Sequence, residues 1–130
     1  MTDINVGAIS EALNDKADRD LQNVDTVGGA DAVIEYQLPT AANNYTWYRK
    51  YASGWVEQGG IASGITSSYA TKTLPVEMSD TNYTFICNTS ESFSGNQYAV
   101  GNPTSTTEFQ IKYSGTGTAT CSWQVSGMAA

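Results

Sequence analysis

The side chains that could do chemistry in this sequence are few, and one type is missing: the 130 residues contain no histidine. That removes the usual general base, the commonest metal ligand and any Ser-His or Cys-His pair. Carboxylates are plentiful, but Glu35, Glu57, Glu77, Glu91 and Glu108 are scattered along the chain. Nothing in the sequence brings two of them together as a glycosidase-type pair. Asp15, Asp18, Asp20 and Asp25 lack the spacing of an EF-hand loop, so they read as a solvated acidic face. Cys87 and Cys121 are too few for structural zinc within one chain. Both fall in apolar, strand-like runs, where thiols behave as small buried hydrophobes. Gly115-x-Gly117 precedes a strand and not a helix, so it is no phosphate loop. The set predicts no catalytic residue, no metal and no cofactor.

Recognition chemistry is better represented. The chain has fourteen aromatics, three Trp, eight Tyr and three Phe, enough to bury a modest core. Trp47, Trp55 and Trp123 sit in strand-like runs and are expected to pack in the core or between subunits. Phe93 and Tyr98 lie instead in a long Asn/Ser/Gly segment, Thr89 to Ser105, where no alternation buries them. Structureless loops of that length are usually functional or disordered. Phe93 and Tyr98 suit stacking on an apolar sugar face, and Asn96, Gln97 and Asn102 suit hydrogen bonding to hydroxyls. The competing expectation is that Phe93 and Tyr98 anchor the loop on a neighbouring subunit. The Gly60 to Ser68 segment is a second candidate.

These groups need elements to hold them. From Ala32 the pattern reads as β: strands near Val33 to Leu38, Tyr45 to Tyr51, Trp55 to Gln58, Thr71 to Val76, Asn82 to Asn88, Thr106 to Tyr113 and Thr118 to Val125. Asn43-Asn44, Ala52-Ser53-Gly54 and Gly115-Thr116-Gly117 read as turns. Pro75 marks an edge strand, and Gly59-Gly60 to Ser68 reads as a flexible link. Ahead of this lies a short helix. Val6, Ile9 and Leu13 follow a three-then-four spacing, a little over one heptad of a coiled-coil seam. A helix of that length is marginal alone, so self-association is expected. The fold expected is mainly β, an antiparallel sandwich or barrel-like knob at 30–130, after a stem with a short trimerising helix at 1–29.

Charge narrows the partners. Net charge is −7, and six basic residues cannot line a phosphate track, so nucleic acid is not expected. Acidity is concentrated early: seven acids stand against Lys16 and Arg19 between Asp3 and Asp31. No apolar run approaches spanning length, and no signal peptide follows Met1. The expectation is a soluble chain made in the cytoplasm, its thiols reduced, with no membrane insertion.

Residues 45–60, YTWYRKYASGWVEQGG, resemble the C-terminal domain of phage and prophage tail fibres. The stem NDKADRDLQNVD is similar to the K-A-D-x-D-L-x-N linker of such fibres. LPVEMSDTNYTF at Leu74 to Phe85 is similar to their following strand-turn-strand unit, and CSWQVSGMAA to their terminal W-x-x-x-G pattern. The resemblance covers nearly the whole chain. It implies a homotrimer at the distal end of a virion tail fibre that recognises a receptor on the host bacterial surface, a glycan or an outer-membrane protein. Met1 falls inside a heptad, which suggests a fragment of a longer fibre. Many such fibres end in Ala-Cys-Gly, whereas Gln124, Val125 and Ser126 fill that stretch here. Without histidine the chain cannot form the His-based iron sites that some tips carry. Two roles fit the resemblance: a receptor-binding tip, or a structural terminator that registers the trimer. The shared block assigns no receptor residue.

Overall fold

Aromatic and β-branched residues alternate along most of the chain, and the computed structural model, which describes residues 29–90 and 97–130, folds them into eight strands. The strands are β1 (Val33–Gln37), β2 (Trp47–Tyr51), β3 (Trp55–Ile65), β4 (Ala70–Thr73), β5 (Thr84–Thr89), β6 (Ala99–Pro103), β7 (Glu108–Tyr113) and β8 (Ala119–Met128). They form two antiparallel sheets, β1-β2-β3-β8-β5 and β4-β7-β6. The smaller sheet lies over part of the larger, with β6 beside β5 and β7 against β3. The mainly β, antiparallel sandwich expected from the sequence is therefore present. The expected stem helix, with Val6, Ile9 and Leu13, lies outside the described residues.

The core follows the period-two rule of strands. Ala119, Cys121, Trp123 and Val125 point inward from β8, and Phe109, Ile111 and Tyr113 from β7. Val56, Gln58, Ala62 and Ile65 come from β3. Phe109 stacks between two other rings, 4.7 Å from Trp123 and 5.0 Å from Phe85. Strands β1 and β2 hold no fully buried residue, so they extend the larger sheet beyond the cover of the smaller one. Cys121 is buried and Cys87 half-buried, both as free thiols. Burial, and then the nearby Cys121, push the Cys87 thiol above its ordinary range.

Three segments depart from the sequence reading. The flexible link from Gly59-Gly60 is in fact the middle of β3, which runs eleven residues. Glycine weakens an isolated strand, but here two tryptophans occupy the space its side chains would fill. A Cβ on Gly59 would strike the Trp47 indole, and one on Gly60 would press on Trp123 from the other side of the sheet. The supposed long loop from Thr89 to Ser105 contains β6. Gly101 belongs there because a Cβ would collide with the Gln110 carbonyl and the Phe85 ring. The strand expected from Thr71 to Val76 stops at Thr73, ahead of Pro75, although it does lie at a sheet edge.

Tyr83 ties the crossing between the sheets to the core. Its buried hydroxyl lies 3.0 Å from the Ser105 carbonyl and 2.9 Å from that of Glu108, either of which accepts its proton. Burial raises its pKa above the usual phenol value of 10.0. A raised folded-state pKa gives stability that is complete below the unfolded value and lost as pH rises through the folded one. The knob is therefore expected to weaken above about pH 10, and Tyr83→Phe to make that alkaline decline shallower. Melting temperatures measured across this range check it; an unchanged slope in Tyr83→Phe would remove Tyr83 as a cause.

Candidate functional site

The strand register gives the knob two distinct ends. Gly29, the loop 52–54 and Ala129 meet at one of them: Ser53 N–H donates to the Ala30 carbonyl at 3.1 Å, and Ala129 N–H to that of Gly54 at 2.8 Å. Residues 1–28 join the knob here. Strand β3 then runs from Trp55, paired with Met128, to Ile65, paired with Ala119 at the far end. The connections 66–69 and 114–118 collect at that far end, as does the approach to β6, whereas the connection 38–46 turns back beside the middle of β3, where Ile61 N–H donates to the Asn44 carbonyl at 3.0 Å.

Tyr98 projects at this far end, 59% exposed. Its backbone is fixed: Tyr98 N–H donates to Ser114 Oγ at 2.8 Å, and Ser114 N–H returns to the Tyr98 carbonyl at 2.9 Å. Gln97 is exposed beside it. Asn102 is elsewhere, four residues along β6, or about 13 Å at strand rise. Its amide is occupied too, donating to the Pro103 carbonyl and accepting from Gln110 Nε2, both at 2.9 Å. Phe93 and Asn96 lie outside the described residues. The structure thus keeps Gln97 and Tyr98 together and separates Asn102 from them.

The sequence reading missed two further exposed tyrosines, Tyr69 at the same end and Tyr45 beside the middle of β3. Tyr69 lies just past the expected link and carries the Lys112 ammonium over its ring at 4.6 Å. The signal that singled out Tyr98, an aromatic among small polar residues, applies equally to it. Tyr45 was expected on a strand face, but it sits in a turn with a φ of 55°. The neighbouring Asn44 is left-handed as well, at 56°, a conformation asparagine tolerates better than most residues.

Beside Tyr45, the outer face of the larger sheet carries a groove of about 720 Å³. Tyr45 and Trp47 form one wall, Ile86 the other, and Ser122 and Gln124 the floor. The described carboxylates do not converge: Glu35 accepts from Tyr48, Glu57 from Tyr51 and Glu77 from Thr106. Among the described residues no three His, Cys, Asp or Glu side chains gather as metal ligands. What the surface offers is stacking area and hydrogen-bonding groups on a rigid β scaffold, which is the chemistry of recognition.

No family model and no curated protein matches the sequence. Solved structures do. An N-truncated R2-type pyocin tail fibre aligns over 98% of this chain and 52% of its own, with a TM-score of 0.59 and 14% identity. A Pseudomonas aeruginosa R2 pyocin fibre, comprising C-terminal residues 323–691, aligns over 98% of this chain and 36% of its own, again at 0.59 and 14%. The chain has the fold of a pyocin tail fibre. It spans about half the length of the first of these fibres and about a third of the second. The aligned part includes the aromatic block at 45–60.

Proposed function

We propose that this chain is the receptor-binding tip of a phage-type tail fibre, acting as a homotrimer at the distal end of the particle. The observation that carries the reading is the placement of Tyr69 and Tyr98, exposed on either side of the end of β7, at the end of the knob opposite Gly29. A fibre that joins at one end meets its target with the other. The pyocin-fibre fold supports a tail-fibre role, and the loops at that far end are where a β scaffold usually places binding residues. The ligand class is a host-surface glycan or outer-membrane protein. The sparse charge around Tyr98 suits a neutral ligand.

A Tyr98→Ala, Phe93→Ala double mutant tests this. Cell adsorption is expected to fall about tenfold or more, with melting temperature and assembled mass unchanged. A lowered melting temperature with adsorption per folded particle intact would instead make these residues packing anchors. The chain would then fit a structural terminator that registers the trimer.

A further inference from the structure

One cation stands among the tyrosines of the far end. Strand β7 turns Phe109, Ile111 and Tyr113 to the core, so Gln110 and Lys112 between them face outward. Residues opposite one another across a ladder share a face. Val100 of β6 therefore stands beside Lys112, and Asn102 and Thr71 stand on either side of Gln110. Tyr69 precedes the pair Ala70–Ile111, which puts it level with Lys112, and its ring takes the ammonium at 4.6 Å. Tyr98 is level with Ser114, one outward position further along β7. Two strand spacings and two residues of rise separate the backbones of Tyr69 and Tyr98 by about 12 Å, with Lys112 and Val100 between them.

Lys112 differs from the other described cations. Arg49 pairs with Glu57 at 3.9 Å. Lys50 stands opposite Glu35 across β1 and β2, and Lys72 stands opposite the buried Phe109, on the side of the core. Lys112 has a ring beside it and no described carboxylate. It is the one charged side chain in segments 66–70, 97–101 and 111–118. Glu108, the acid on its own strand, lies four residues back, or about 13 Å at strand rise. A ring face holds an ammonium in place without neutralising it.

We infer that Lys112 is the anion-binding residue of a saccharide site on the outer face of the smaller sheet. A sugar ring lies on Tyr98, and its one carboxylate or phosphate meets the Lys112 ammonium, which Tyr69 holds in position. The inference rests on the receptor-binding reading above and adds a single anionic group to a ligand otherwise neutral. Charge complementarity selects the anion: this is an unneutralised cation at the binding end of a chain of net −7. The same −7 disfavours a polyanion, so one acid per site is the fit. Lysine binds as a point charge, which suits carboxylate and phosphate alike.

The rest of the face favours a saccharide over a protein. The cores of protein interfaces are apolar and depleted of charge, whereas Val100 is the one sizeable aliphatic side chain between the two rings. The next row is Thr71, Gln110 and Asn102, a hydroxyl and two amides. Gln110 Nε2 donates to Asn102 Oδ1 at 2.9 Å, which fixes both amides relative to each other. Each amide has two donors and an acceptor oxygen, so the pair keeps capacity for sugar hydroxyls.

Adsorption of the full 130-residue chain to host cells tests it, with Lys112→Gln and Lys112→Arg compared at low and high salt. Lys112→Gln is expected to lower adsorption about tenfold or more, with melting temperature and assembled mass unchanged, and Lys112→Arg to retain most of it. Adsorption of the unaltered chain should weaken as salt rises, and the residual adsorption of Lys112→Gln should not. Cells whose surface carboxylates have been converted to amides separate the two anions. Loss of adsorption to them assigns a carboxylate; retained adsorption, with Lys112→Gln still impaired, assigns a phosphate. Undiminished adsorption by Lys112→Gln would overturn the inference, and the tip reading would stand if Tyr98→Ala still lowered adsorption. Equal losses in Lys112→Gln and Lys112→Arg would make shape and not charge the cause, and would overturn it too. Loss of adsorption to protease-treated cells would make the ligand a protein, against the inference. An unaltered chain that does not adsorb at all would overturn the tip reading together with the inference.

Discussion

Phe109→Ala is expected to destabilise the knob by about 3–5 kcal/mol, the largest effect of any single truncation in its core. Phe109 is fully buried and is the middle ring of the Phe85–Phe109–Trp123 stack. The stack spans both layers: Trp123 and Phe85 lie on the larger sheet, and Phe109 itself on the smaller. Removing it takes away apolar burial and leaves a cavity that two tilted rings cannot both collapse into. The loss also falls on the contact that joins the layers. A domain of this size has a total stability of about 5–15 kcal/mol, so the variant should be marginal. At about 4–8 °C per kcal/mol for a knob of this length, the melting temperature should drop by more than 10 °C. Phe85→Ala should cost less, because Phe85 is only half-buried at the end of the stack. A shift below about 4 °C in Phe109→Ala would mean that the sheets are held together by something other than this stack.

The sequence made the two-layer β fold legible because alternation is a local property. Ala119, Cys121, Trp123 and Val125 fall on one side of a strand whether or not their partners are known. Asn44 and Gly54, with their positive φ, announced two of the turns. The misplaced segments share one cause. Gly59-Gly60 and Gly101 look like breaks in the chain, since glycine alone supplies no side chain to pack. What makes them strand residues is distant in sequence: the indoles of Trp47 and Trp123, the ring of Phe85 and the carbonyl of Gln110. No local window contains those partners. The candidate site was legible to the same degree. An aromatic in a polar run could be read at Tyr98. That Tyr69 shares this end of the knob, across β7 from Tyr98, depends on strand direction, which only the register supplies.

The same contrast explains why the outer groove went unread. Trp47 and Ile86 each satisfy the strand pattern, and a strand-borne aromatic is ordinarily assigned to a core. Only the sheet order reveals that β2 lies beyond the smaller sheet. Apolar residues placed there have no second sheet over them within the described chain. The sequence had allowed either core or inter-subunit packing for its tryptophans. The structure divides them: Trp123 is buried, Trp47 half-buried beside the groove, and Trp55 exposed.

Gln58→Leu should cost about 2–6 kcal/mol, because it leaves two backbone groups without partners at about 1–3 kcal/mol each. Gln58 is the fully buried polar side chain of the core. Its Nε2 donates to the Val76 carbonyl at 2.9 Å, and its Oε1 accepts from Val76 N–H, also at 2.9 Å. The amide therefore does for Val76 what a neighbouring strand would do. That matters because Val76 lies just past Pro75, where β4 has ended and no ladder continues. Nε2 also lies 3.1 Å from Met78 Sδ, so the side chain is held from two sides. Leucine nearly matches glutamine in volume, so packing does not account for the loss. Gln58→Glu separates the terms further. A carboxylate could still accept from Val76 N–H but would face the Val76 carbonyl with no proton to donate. Burial would raise its pKa, so the variant should be closest to the parent in acid and lose stability as pH rises toward neutrality. Denaturant unfolding of the three proteins at acidic and neutral pH checks both statements. A Gln58→Leu variant as stable as the parent would show that water satisfies Val76. A Gln58→Glu variant with no dependence on pH would mean that position 58 is not enclosed.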